Sequence, residues 1–78
     1  MNPRVTVYTR VGCGLCAAAE ADVARICADL GEDWTAVDVD TDPTLRAEYG
    51  DRVPVIMVDG REHGFWRVEE ARLRAALA

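Results

Sequence analysis

Apolar and polar positions set the element order of this chain. Val5-Thr6-Val7-Tyr8-Thr9 alternates β-branched and aromatic residues and predicts a strand over Arg4–Thr9. The period then lengthens: Leu15, Ala19, Val23, Ile26 and Leu30 recur on one helical face. The run Ala17-Ala18-Ala19-Glu20-Ala21 favours helix, and Gly31 is a natural stop, so a helix is predicted over Leu15–Leu30. Asp33 to Val39 predicts a second strand, whose acids suit a sheet edge. Asp42-Pro43 opens a short helix, with Asp42 as cap and Pro43 at the first helical position, and that helix ends near Tyr49-Gly50. Val53 to Val58 is a continuous apolar run, the pattern of a strand buried on both faces. Asp59-Gly60 is a hairpin signal that folds Glu62–Arg67 back as an antiparallel strand. Glu69–Leu77 closes as a helix, with Glu70 and Arg74 spaced to interact. The order βαβαββα predicts one α/β domain over residues 1–78, a four-stranded mixed sheet flanked by helices.

Composition narrows the function classes. At 78 residues, half of them apolar, the chain suits one small domain with a core and not a disordered segment. No apolar run approaches the roughly 20 residues of a membrane span, so no membrane partner is expected. The first residues lead straight into a strand without a secretory signal, and a cytoplasmic location is the expectation. Fourteen acids against nine bases, a net charge of −5, leave no electrostatic footprint for nucleic acid. A monomer is expected. Three cysteines do not make a paired extracellular framework, which favours a catalytic or metal-binding pair.

Cys13-Gly14-Leu15-Cys16, between a strand and a helix, has the form of a thioredoxin-like redox motif. With the helix starting near Cys13, free N–H groups and the positive helix end favour the thiolate, the attacking species. Cys16, three residues on, lies on the same face and within reach of a disulfide. Cys13 is then the nucleophile and Cys16 the resolving thiol, and Gly12 and Gly14 keep the approach uncrowded.

The other candidates are read more plainly. Cys27 lies about 16 Å along the same helix from Cys16, and is expected to be a partly buried, inert thiol. His63 is expected on a strand surface. One Cys-x-x-Cys and a lone histidine do not complete a zinc site, so no metal ligands are assigned. Asp38-x-Asp40-x-Asp42 opens like a calcium loop, but Pro43 stands where glycine is required and Tyr49 where glutamate is required. Those acids are expected to end a strand and cap a helix. Trp34 and Trp66 are expected to line the core or a groove.

The whole chain resembles the glutaredoxin branch of the thioredoxin superfamily. The matching pieces are Val5-Thr6-Val7-Tyr8-Thr9-Arg10, Gly12-Cys13-x-x-Cys16, Val53-Pro54-Val55-Ile56 and Val58-Asp59-Gly60. It is similar in particular to an uncharacterised bacterial glutaredoxin-like family that runs Arg-Val-Pro-Val, Val-Asp-Gly and Arg-Val-x-Glu-Ala-Arg-Leu in the same places. The resemblance implies a thioredoxin fold. It also implies a cis Pro54 beside the active-site disulfide, with Val53 and Pro54 docking a substrate strand. Arg10 matches the basic position ahead of the motif and would add positive potential near Cys13. The departures concern glutathione: Arg52 replaces the usual threonine before Val53-Pro54. In addition, His63-Gly64-Phe65-Trp66-Arg67 stands where dithiol glutaredoxins carry Gly-Gly and an Asp. A related group that serves ribonucleotide reductase, and is reduced by thioredoxin reductase, shares the Gly-Phe pair.

The expectation is a small dithiol oxidoreductase and electron carrier that reduces disulfides of a protein or a small thiol compound. It holds no cofactor of its own. Glutathione, another low-molecular-weight thiol or a thioredoxin reductase-type enzyme would be the donor. The alternative is a non-catalytic binding module on the same fold, gripping either a partner or an iron–sulfur cluster shared between two chains.

Overall fold

The computed structural model describes residues 3–78. β1 spans Val5–Thr9, α1 Cys16–Leu30, β2 Trp34–Asp38, α2 Pro43–Tyr49, β3 Val55–Val58, β4 Arg61–Phe65 and α3 Glu70–Leu77. A single 3₁₀ turn, Val39–Thr41, joins β2 to α2. The sheet order is β2-β1-β3-β4, with β1 parallel to β2 and antiparallel to β3, and β3 antiparallel to β4. This is the expected α/β architecture with a mixed four-stranded sheet, and β2 is an edge as its acids suggested.

Alternation along β1 assigns the two faces. Val5 and Val7 join Ile56, Val58, Val23, Ile26, Cys27, Leu73 and Leu77 in the buried cluster, so α1 and α3 cover that side. Tyr8 faces the other way and stacks on Tyr49 of α2, ring centroids 4.6 Å apart. The sheet thus lies between α2 and the α1–α3 pair.

The buried stripe of α1 departs from expectation. Cys16, Ala19, Val23, Ile26 and Cys27 form it, whereas Leu15 and Leu30 are exposed. Leu15 is the residue before the first helical turn, and Leu30 is the last residue before left-handed Gly31, so neither packs as an interior helical position does. Cys27, expected to be partly buried, is wholly enclosed.

Local chemistry accounts for the other boundaries. Asp42 accepts from the Thr44 N–H at 2.8 Å, and Pro43 follows as the first residue of α2. Asp59 and Gly60 both have positive φ, 52° and 81°, the backbone of a two-residue hairpin turn. His63 is the extra residue between the Met57–Glu62 and Ile56–Gly64 pairs, a bulge in β4. β4 ends at Phe65, short of the expected Arg67, because Trp66 turns to φ 69° and sends its N–H to the Pro54 carbonyl at 2.8 Å. β3 begins at Val55 and not Val53, since Pro54 has no N–H to give a ladder.

Away from the cysteine pair, Arg4 ties the elements together. Its guanidinium bridges both Asp59 carboxylate oxygens at 2.9 Å and reaches Glu32 at 3.3 Å. It also donates to the carbonyls of Leu77 at 3.2 Å and Ala76 at 3.5 Å.

Candidate functional site

β1 delivers the chain to the rim of the sheet at Thr9, and Gly12, at φ 81°, turns it toward α1. The Cys13 N–H donates to the Arg10 carbonyl at 3.2 Å, and the Cys16 N–H to the Cys13 carbonyl at 3.4 Å. These turns precede the helix, so α1 begins at Cys16, one residue past the expected Leu15. Cys13 therefore sits ahead of the helical N-terminus instead of within its first turn. The helix end remains electropositive toward it: Leu15 offers no capping side chain, and the first turn carries no acid.

Cys13 and Cys16 form a disulfide, with Cα atoms 5.4 Å apart, inside the usual range. Burial separates their roles. Cys16 is buried under the start of α1, and Cys13 is the half-buried, outward sulfur. The Val53 carbonyl oxygen lies 3.9 Å from Cys13 Sγ, a contact and not a hydrogen bond, since an oxidised sulfur carries no proton. The Val53–Pro54 bond is cis, with Pro54 buried and Val53 half-buried beside the disulfide. The fold thus brings Cys13, Cys16, Val53 and Pro54 to one place.

Arg10 joins them through its backbone. Its side chain is taken up by Asp40, Nε to Oδ2 at 3.0 Å, which offsets the positive potential expected of it near Cys13. Of the other acids in the calcium-like run, Asp38 accepts from the Asp40 N–H at 2.9 Å and Asp42 caps α2. Among the described residues no cluster of three His, Cys, Asp or Glu side chains could hold a metal ion.

Sequence reasoning missed what holds the Val53 loop. The Arg52 N–H donates to the Tyr49 carbonyl at 2.9 Å, and its guanidinium lies 5.6 Å from the Tyr49 ring centroid and 2.9 Å from Glu62. The pairing of Arg52 with Glu62 follows from the hairpin register, which no local pattern announces. His63 also differs from the strand-surface expectation. Its bulge position leaves Nε2 buried and without a partner, and burial, with the Arg72 charge, pushes its pKa below the ordinary 6.5. Burial likewise pushes the Cys27 thiol up, reinforced by Glu32 and Asp33. Trp34 packs against the core, whereas Trp66 is exposed beside the disulfide loop.

Residues 4–78 match the family described as Glutaredoxin-like domain (DUF836). The chain belongs to that family. An uncharacterized protein of Mycobacterium tuberculosis is 46% identical to this glutaredoxin-like domain over 82 residues, 99% of this chain and 84% of the relative. The X-ray structure of XcR50 from X. campestris is 38% identical, with a TM-score of 0.75 over 94% of this chain and 93% of that one. The solution structure of Ne2328 from Nitrosomonas europaea is 26% identical, with a TM-score of 0.82 over 100% and 95%. A wheat glutaredoxin, 21% identical with a TM-score of 0.58 over 95% and 78%, shares the fold, which is the thioredoxin fold. No helix among the described residues is long and apolar enough to cross a membrane.

Proposed function

We propose that this glutaredoxin-like domain is a dithiol–disulfide oxidoreductase, with Cys13 as nucleophile and Cys16 as resolving thiol. One observation carries the reading: the disulfide joins an outward sulfur to a buried one at the positive end of α1. In the reduced protein the Cys13 thiolate attacks one sulfur of a substrate disulfide. That S–S bond breaks, the departing sulfur takes a proton, and a mixed disulfide to Cys13 remains. Cys16 loses its proton, attacks Cys13 Sγ and releases the second substrate thiol. Two electrons pass to the substrate, and Cys13–Cys16 is left oxidised. The half-buried Val53 backbone beside Sγ would pair with the substrate strand. Glutathione, another low-molecular-weight thiol or a reductase of the thioredoxin reductase type would then return the electrons.

A glutathione redox titration, quenched with an alkylating label and read by intact mass, tests this. The expected result is one intramolecular disulfide, Cys13–Cys16, with a midpoint between about −270 and −120 mV. Cys13→Ser should abolish exchange, and Cys16→Ser should trap the mixed disulfide on Cys13. A chain that closes no disulfide at any poise sinks the oxidoreductase reading. Partner binding that survives in Cys13→Ser without any exchange favours the binding module.

A further inference from the structure

Large apolar side chains left in solvent are not scattered over this molecule. Among the described residues five are exposed: Val11, Leu15, Phe65 and Trp66, at 87%, 48%, 43% and 53%, with Leu30 the fifth. Val11, Leu15 and Trp66 lie around the disulfide loop, and Phe65 packs against Trp66. Val11 and Leu15 lie in the loop that carries Cys13, and the Trp66 backbone is bonded to Pro54. Leu15, Trp66 and Arg67 line one recess beside α1, together with Ala18, Ala19, Asp22 and Val68.

Trp66 is unusual in its backbone as well as its exposure. Its φ of 69° is left-handed, a conformation natural to glycine and strained for a bulky side chain. Strain at an exposed aromatic next to a reactive pair points to function and not to packing. Phe65 stands edge-on to the indole, centroids 5.1 Å apart, and props it in place. The charge on this wall is also unmatched. Arg67 has no carboxylate within ion-pair distance among the described residues, whereas Asp22 already pairs with Arg25.

We infer that Trp66 and Leu15 determine specificity: they select a peptide disulfide with an apolar residue beside its cysteine, and Arg67 takes a carboxylate farther along. The inference rests on the redox reading of Cys13 and names its substrate class. The rings offer apolar contact, the Val53 backbone offers pairing to an extended chain, and Arg67 supplies charge complementarity. Two copies of this chain, each at net charge −5, repel one another as wholes.

The test uses two synthetic pentapeptide disulfides, each with a glutamate and one cysteine. They differ only in whether leucine or serine precedes the cysteine. The reduced protein should release thiol from the leucine peptide at least about tenfold faster. In Trp66→Gly, which the left-handed backbone accommodates, that ratio should fall to near one. Leu15→Ser should lower it too, and keeps the test decisive should the first variant fail to fold. A third peptide, the leucine peptide with glutamine for glutamate, should exchange more slowly than its parent peptide, and Arg67→Gln should erase that difference. Equal rates for the two in the parent protein overturn the role of Arg67. A ratio near one in the parent protein overturns the inference, as does one that survives both substitutions. Equal exchange with both peptides leaves the redox reading intact, whereas no exchange with either removes that reading and the inference with it.

Discussion

Replacing Cys27 by alanine should lower stability without touching redox behaviour. The thiol is wholly enclosed, in the cluster formed by Val23, Ile26, Leu73 and the β1 and β3 valines. Alanine removes one heavy atom and leaves a small void. Deletions of that size in a packed core cost about 1 kcal/mol, from the lost transfer energy and the lost contacts together. In a domain of this length that corresponds to a fall of about 4–8 °C in Tm. The fold survives, because small domains hold roughly 0.05–0.15 kcal/mol per residue and one such loss leaves most of it. Cys27 also lies about 16 Å along α1 from Cys16, too far to exchange with the pair. The Cys13–Cys16 midpoint should therefore be unchanged. Thermal unfolding by circular dichroism reads the first effect and the glutathione titration the second. In the native parent, Cys27 should resist alkylation, since burial and two nearby carboxylates hold its pKa up. An unchanged Tm refutes the packing argument, and a displaced midpoint refutes the assignment of Cys27 to the core alone.

Acid should act through Glu70. Arg25 and Arg74 hold its carboxyl at about 2, against an ordinary 4.5, so its contribution is complete above 4.5 and drains away as pH falls toward 2. Melting Glu70→Gln between pH 6 and pH 2.5 should give a shallower acid limb than the parent. Added salt should narrow the difference, since the carboxylate is exposed. Gly50→Ala should lower Tm, because a Cβ there would meet the Arg46 carbonyl oxygen at 2.5 Å, and backbone cannot step aside as a flexible side chain would. A Tm equal to the parent's would show that the end of α2 yields.

The elements that could be read from sequence are those dictated by near neighbours. The Asp42-Pro43 cap, the Asp59-Gly60 turn and the strand–cysteine–helix junction are each set within a few residues. Misread features depend on an element boundary, an unusual backbone or a distant partner. A periodic count places Leu15 with Val23, yet Leu15 stands ahead of the helix and in solvent. Arg10 carries a motif-like charge, but Asp40, thirty residues on, takes it up. His63 reads as a surface strand residue until the β3 register makes it a bulge. The left-handed backbone of Trp66 had no local signal at all, since glycine and not tryptophan marks such turns.

The Arg4 cluster has a practical consequence for how this domain combines with other polypeptide. One guanidinium touches the carbonyls of Ala76 and Leu77 while its own backbone leads into β1 at Val5. Both ends of the folded unit therefore meet at one pole, and the five residues of β1, roughly 17 Å of strand, separate that pole from the cysteine loop. Chain joined at either end emerges side by side and points away from Cys13. The unit can be inserted into a loop of another protein, or permuted by linking its ends, with its reactive sulfur still facing open solvent.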